Sequence, residues 1–142
     1  MKLISRLLLV IILLQAVGCS NKSKLFPGFS VTETGIHYML ISLGDGAASA
    51  KPSNYVTVNI TYRTANDSVF FQGLRQFQLT EPHYEGSIDE CFLMLSQGDS
   101  AAFFIKANPF FTQTLETELP GFFKPDDFMR IDIRMIDIKS AE

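Results

Sequence analysis

The sequence of 142 residues has no tryptophan, two cysteines and only twelve basic residues against fifteen acidic ones, a formal charge of −3. Two cysteines exclude a disulfide framework. The lysines and arginines are scattered without forming a basic stripe, which argues against nucleic-acid binding. The longest apolar run, Leu7 to Leu14, is about half of the roughly 20 residues that a membrane-spanning helix needs. A permanent transmembrane helix is therefore not expected.

The first nineteen residues have the order of parts of an export signal. Lys2 and Arg6 precede the apolar run, and small residues then lead directly to Cys19. A small residue before a cysteine resembles the lipobox of bacterial lipoproteins, in which the cysteine carries a diacylglycerol and becomes the N-terminus. We predict a signal peptide over residues 1–18 and lipidation at Cys19. The alternatives are an ordinary signal peptide with a cysteine nearby, and a disulfide between Cys19 and Cys91.

Removal of residues 1–18 would leave ten basic and fifteen acidic residues, a formal charge of −5. Residues 19–34 begin with polar residues that lack periodicity, and we interpret them as the lipidated cysteine followed by a flexible tether. Residues 35–142 then form one domain, because a chain of this length supports one hydrophobic core. Thirteen phenylalanines must be accommodated in that core or in a pocket.

The pattern of the mature chain predicts mainly strands. Apolar residues alternate with polar ones over 56–63, which indicates a half-buried antiparallel strand, and 69–71 resumes extended structure after a turn. Further strands are predicted at 36–43, around 77–79, at 100–106 and from Met129 to Lys139. The apolar phase of the last strand shifts after Met135, which predicts a bulge near Met135 and Ile136.

One short helix interrupts the strands. Ser87 and Glu90 fit a capping box, in which each side chain would satisfy a backbone N–H of the first turn. The apolar residues Ile88, Cys91 and Phe92 fall on one helical face, and we predict a helix over 88–96 that Gly98 ends. Residues 107–127 have three prolines and no periodicity, which predicts a long loop.

The order of these elements is similar to that of the FKBP-type peptidyl-prolyl isomerases. Four segments carry the resemblance, namely GIHYMLISLGDG, VTVNITYRTANDSVFF, GSIDECFLMLSQGDSAAFFI and FKPDDFMRIDIRMIDIK. It extends over about residues 35–139. It implies an α+β fold in which an antiparallel curved sheet of five or six strands wraps around one short helix.

The resemblance also implies an apolar cleft that holds a proline ring and favours the twisted peptide bond. Phe70 matches the cleft phenylalanine of the family, whereas Phe71 stands where the family has aspartate. Ile60 and Phe111 replace tyrosines. Ile88 replaces a tryptophan, and Ile131 replaces a phenylalanine. The candidate site residues that the resemblance implies are Ile60, Phe70, Phe71, Tyr84, Ile88, Phe111, Phe122, Phe123 and Ile131.

The resemblance and the export signal together imply a peptidyl-prolyl isomerase or folding helper for exported proteins, which would need no cofactor or metal. Its partners would be proline-containing or unfolded segments, and lipid on Cys19 would hold it to the cell envelope, facing the periplasm or the cell surface. The alternative is a non-catalytic module that uses the same cleft for binding. His37 and His83 lack neighbouring ligands at zinc spacing. Asp89 and Glu90 fit the first turn of a helix better than a hydrolytic pair.

Overall fold

A computed structural model of the protein describes residues 21–46 and 48–142. The predicted signal peptide and Cys19 lie outside the described residues. Six strands form one antiparallel sheet: β1 (Ser30–Val31), β2 (His37–Ser42), β3 (Tyr55–Arg63), β4 (Val69–Gln78), β5 (Ser100–Lys106) and β6 (Phe128–Lys139). Their order across the sheet is β1-β2-β5-β6-β3-β4, and every adjacent pair is antiparallel. The predicted fold class is confirmed.

Among the described residues, the longest α-helix is α1 (Ile88–Leu93), which packs on one face of the sheet that we call the inner face. Ile88, Cys91 and Phe92 are buried beneath it, as the helical spacing predicts. They meet the alternating apolar side chains of β3, β5 and β6, among which Phe103 and Ile131 are fully buried. This cluster is the main hydrophobic core.

The ends of α1 differ from the prediction. The helix ends at Leu93 rather than Ser96, and Ser87 caps it without a side-chain hydrogen bond to the backbone. The Glu90 carboxylate instead accepts hydrogen bonds from the Gly86 N–H and, at 2.7 Å, from the Thr34 hydroxyl. The expected capping box is therefore wrong, because Glu90 is used to join the helix to the segment before β2.

Gly98 marks a close approach of two chain segments. It has a φ of +88°, and a Cβ at this position would lie 2.9 Å from the Gly44 Cα. Next to it, the buried Asp99 carboxylate accepts hydrogen bonds from the N–H groups of Gly44 and Ser96, each at 2.8 Å. These contacts fix the turn after β2 against the turn before β5.

The two longest strands bear out one prediction and correct another. Thr57 pairs with Asp137 and Val58 with Met135, so Ile136 is the extra residue of a bulge in β6, at the predicted place. In contrast, 77–79 does not form a separate strand. The ladder with β3 holds β4 together as one strand from Val69 to Gln78.

The segment predicted as a flexible tether is largely part of the fold. Ser30 and Val31 pair with β2, and Lys22 bridges to Ser30. Phe26 stacks on Phe104 of β5 with ring centroids 3.8 Å apart, on the outer face of the sheet opposite α1. The prediction missed this because the segment lacks the alternation of a long strand, and aromatic contacts with distant residues hold it instead.

The long loop 107–127 is also more ordered than its composition suggests. A helical turn over Ala107–Pro109 continues as a π-helical turn over Phe110–Thr114. The N–H of Leu115 donates to the Phe110 carbonyl at 3.0 Å, which closes the wider turn. The turn directs both Phe110 and Phe111 into the core. Among the residues that the structure describes, no helix has the length and apolar character to cross a membrane.

Candidate functional site

Seven aromatic side chains meet at one end of the inner face, and we call them the inner aromatic cluster. They come from the ends of β3 and β4 that adjoin the turn 64–68, and from the connection between β5 and β6. Its members are Tyr62, Phe70, Phe71, Phe110, Phe111, Phe122 and Phe123.

Phe70 lies at the centre of this cluster. Its ring centroid is 5.6 Å from that of Phe122, 5.7 Å from that of Phe123 and 6.0 Å from that of Phe111. A register shift places it there: Tyr62 pairs with Phe71, and Arg63 pairs with Val69. Phe70 is thus the extra residue of a bulge, which lets two consecutive phenylalanines pack against the same core.

The cluster has a closed floor and one open side. Phe111 is 7% exposed and Phe123 is 5% exposed, so both are part of the core, whereas Phe122 is 58% exposed. Phe122 and Phe70 form the apolar walls of a shallow hollow of about 290 Å³ that also touches the turn 64–68. Phe122 is thus the most exposed ring of the cluster, and the partly exposed Phe70 lies beside it.

Three further predicted site residues lie in the core. Ile60, Ile88 and Ile131 are 3%, 5% and 0% exposed, so they lie within the core. They belong to the same core cluster as Phe111 and Phe123, and their assignment to the wall of a cleft stays a prediction.

Tyr84 is held beside the cluster by a contact with the π-helical turn. Its hydroxyl and that of Thr114 lie 2.7 Å apart, which fixes the segment 80–86 to the loop after β5. Burial raises the pKa of Tyr84, with the hydrogen bond to Thr114 acting in the opposite direction. His83 Nδ1 lies 2.9 Å from Asp89 Oδ2, a second link between this segment and α1.

Phe71 replaces the acid of the family pattern, and its surroundings differ accordingly. The guanidinium of Arg75 lies 4.5 Å from the centroid of the Phe71 ring, in cation–π contact. The cleft therefore has no carboxylate at this position, and the nearby positive charge meets an aromatic face.

Tyr62 is a cluster residue that the sequence reasoning overlooked. Its ring is 5.2 Å from those of both Phe71 and Phe110, and burial raises the pKa of its hydroxyl to about 12. The hydroxyl makes no hydrogen bond with any residue within 21–46 or 48–142. The alternation of β3 puts Tyr62 on the same face as Ile60, and that signal was sufficient to place it near the site.

The remaining chemistry of the site is limited. Burial raises the pKa of the Cys91 thiol well above its usual value, so the neutral thiol acts as an apolar core group. In the described part of the chain, no three His, Cys, Asp or Glu side chains form a group that could hold a metal ion. What the arrangement offers is contact with aromatic rings, together with the hydroxyl of Tyr62.

No family model and no curated protein matches the sequence. Among solved structures, FkpA from Escherichia coli matches with a TM-score of 0.65 at 20% identity, over 82% of this chain and 54% of that chain. This chain thus spans about half the length of that structure. A peptidyl-prolyl cis-trans isomerase from Pseudomonas syringae pv. tomato matches with a TM-score of 0.61 at 16% identity, over 84% and 86%.

These similarities define the class of the protein by its fold. The chain has the FKBP-like fold of peptidyl-prolyl isomerases, as the four sequence segments predict. At 20% identity or less, the likeness extends to the arrangement of the strands and the helix.

Proposed function

We propose that this protein is an FKBP-like folding helper of the cell envelope that binds proline-containing segments at Phe122 and Phe70 and accelerates isomerisation of the X-Pro bond. One observation carries the proposal: on an FKBP-like fold, the open side of the inner aromatic cluster presents a 58% exposed phenylalanine over an apolar support. The name of the Pseudomonas syringae structure supports the same activity.

Isomerisation needs little beyond such a surface. The barrier to rotation about the peptide bond is about 18–20 kcal/mol and arises from amide conjugation. In the twisted state the amide has lost conjugation and its carbonyl is less polar, so an apolar environment favours that state over the planar one. Phe70 and Phe122 would contact the proline ring and exclude water from one side of the bond.

The test is the cis-to-trans relaxation of a short peptide with a Phe-Pro bond, measured with purified residues 20–142. This part contains every residue of the buried clusters, which run from Phe29 to Met135. We expect an accelerated relaxation that falls at least about tenfold in Phe122→Ala, because that substitution removes an exposed apolar contact with the twisted bond. If folded protein leaves the relaxation rate equal to the uncatalysed one, the proposal that it accelerates isomerisation is wrong.

Leu74→Ala is the matched control for this experiment. Leu74 is 55% exposed, and it lies on the outer side of β4. Its substitution also removes an exposed apolar side chain, and the relaxation rate should not change. Equal losses in both variants would mean that the apolar surface at Phe122 is not the site.

A non-catalytic binding module is the second candidate, and the site itself favours it. Phe71 occupies the position of the family aspartate, and neither Ile60 nor Phe111 has a hydroxyl. In this case, a proline-containing peptide would shift the NMR signals of Phe70 and Phe122 without any acceleration of isomerisation. The relaxation assay and the shift titration together separate the two candidates.

The proposed location is the cell envelope, with a diacylglycerol on Cys19 after removal of residues 1–18. The order of charged, apolar and small residues before Cys19 supports it. Cys19→Ser should move the protein from the membrane fraction to the soluble fraction, because a diacylglycerol supplies the two acyl chains that stable anchoring requires. An unchanged distribution between the two fractions would contradict the lipid attachment.

A further inference from the structure

The outer face of the sheet has a hollow of about 370 Å³ that the proposed isomerase site does not involve. It lies over β3, β5 and β6. Strand pairing aligns its side chains in rows across the sheet: Asn59 and Ser100 flank Arg134, and Thr61 pairs with Asp132. We call this region the outer hollow.

The outer hollow is positively charged in an acidic protein. Asp132 lies between two arginines, with Arg63 Nε and Arg130 Nε each 3.0 Å from one of its carboxylate oxygens. Arg134 is exposed and makes no ion pair with any residue that the structure describes. Arg63 also pairs with the exposed Asp67 at 3.5 Å, on the side of the turn 64–68. The lining of the hollow has two arginines against one carboxylate, and Arg63 and Asp67 beside it leave this balance unchanged. The local charge is therefore positive in a chain whose formal charge is −3.

The hollow also offers neutral donors. The side chains of Asn59, Thr61, Gln72 and Ser100 line it, and none of them hydrogen-bonds to a residue within 21–46 or 48–142. A phosphate group presents several acceptor oxygens, which the planar guanidinium of Arg134 can engage in pairs. The combination of an available guanidinium, hydroxyls and amides in a concave surface is suited to a phosphate.

The surroundings of the hollow indicate which phosphate it meets. Ile41 forms part of its wall and is 57% exposed, and Leu43 beyond it is 73% exposed. Apolar side chains beside a cationic hollow match the boundary between headgroups and acyl chains of a bilayer. In addition, Asn21 accepts a hydrogen bond from the Val31 N–H at 2.7 Å, so the chain enters the fold at the β1 edge, next to β2.

We propose that the outer hollow binds the phosphate of an anionic phospholipid headgroup, while Ile41 and Leu43 contact the membrane interface. The domain would then rest on the membrane by its outer face. The inner aromatic cluster, on the opposite face, would point towards the envelope space. The preference for a lipid over a soluble phosphate rests on the proposed lipidation of Cys19. The charge and shape of the hollow are independent of that proposal.

The test is sedimentation of residues 20–142, which carry no lipid, with phosphatidylcholine vesicles that contain or lack phosphatidylglycerol. We expect binding only to the vesicles with phosphatidylglycerol. Arg134→Gln should lower the partition coefficient about fivefold, the effect of one basic residue at an anionic surface. Because Arg134 is exposed and unpaired among described residues, this variant should keep the stability of the parent.

Lys51→Gln is the matched control. It removes the same charge from an exposed position in the turn before β3, so binding should change little. Equal losses of vesicle binding in the two variants would mean that binding depends only on net charge, which would overturn the proposal. The absence of binding to phosphatidylglycerol vesicles would also overturn it.

Titration with inorganic phosphate at constant ionic strength distinguishes the source of the phosphate. Shifts of the Thr61 and Ser100 amide signals without vesicle binding would assign the hollow to a soluble phosphate and overturn the membrane contact. The isomerisation rate on the proline peptide should be the same in Arg134→Gln as in the parent, so failure here and failure of the proposed function are separate results.

Discussion

On the inner face, rings from β3, β4 and the connection after β5 pack together and leave Phe122 exposed. On the outer face, Phe26 and Phe29 of the N-terminal segment close over Phe104 and Phe128. His37 lies among these outer rings, 5.0 Å from Phe26 and 5.2 Å from Phe128 by centroid. The first cluster is continuous with the main core, whereas the second rests on a short segment outside it.

The two sets of rings have different roles in the structure: the inner set presents an exposed ring, and the outer set attaches the N-terminal segment to the sheet. The inner cluster combines rings of the paired strands β3 and β4 with rings of the connection between β5 and β6, and one of its rings is exposed. The outer cluster depends on residues 22–31, which pair with β2 through only two residues of β1. Aromatic content alone therefore does not indicate a binding site, because one of the two clusters attaches a terminal segment.

The largest effect is expected for Phe110→Ala in the inner cluster. Phe110 is 1% exposed and contacts both Tyr62 and Phe111, so its removal leaves a cavity that the surrounding strands cannot fill. We expect a loss of about 3–5 kcal/mol in the free energy of unfolding, measured by urea denaturation. A loss below about 1 kcal/mol would show that this part of the core repacks freely.

A smaller effect is expected for Phe26→Ala in the outer cluster. The ring is half-buried and stacked on Phe104, so we expect a loss of about 2 kcal/mol. The amide protons of residues 22–31 should exchange faster, while those of β3 and β6 should change less. The neighbouring Leu25→Ala is the control, because Leu25 is 62% exposed. Uniformly faster exchange across the sheet would mean that the two clusters unfold together.

The smallest effect concerns the pH dependence of stability at His37. Burial, and then the positive charge of Lys106, lower the pKa of His37 below 6.5 in the folded protein. The unfolded chain therefore binds the proton more readily, and stability falls as the pH decreases from about 6.5 towards the folded pKa.

The check is urea denaturation of the wild type and His37→Gln at several pH values between about 5 and 7. The variant should have the weaker pH dependence. His83→Gln is the control, because the His83 side chain is 69% exposed and lies in a different segment. Identical slopes for the wild type and His37→Gln would remove His37 as the cause.

The sequence was most informative where a pattern has one structural solution. The alternation of 56–63 placed β3 to within one residue, and the shift of phase after Met135 located the bulge at Ile136. In both cases one face of a strand is buried, so a displacement by one residue would expose the apolar set. The spacing of Ile88, Cys91 and Phe92 similarly fixed the buried face of α1.

The parts that could not be predicted depend on contacts between distant residues. The local sequence pattern of residues 22–31 does not predict that Phe26 stacks on Phe104, nearly eighty positions later in the chain. The π-helical turn after Pro109 has no periodic signature either. For the site, the resemblance named both Phe70 and Phe122 as candidates, but their contact depends on how the connection between β5 and β6 folds back onto β4, which no local pattern encodes.

The attachment of the N-terminal segment to the sheet limits how far the domain could move from a lipid on Cys19. Asn21 is already bound to β1, and only Ser20 separates it from Cys19. A chain of two residues spans at most about 7 Å, so with lipid on Cys19 the domain would have almost no reach away from the bilayer. Such a protein would meet its clients by diffusing laterally in the plane of the membrane, at a nearly constant distance from the bilayer.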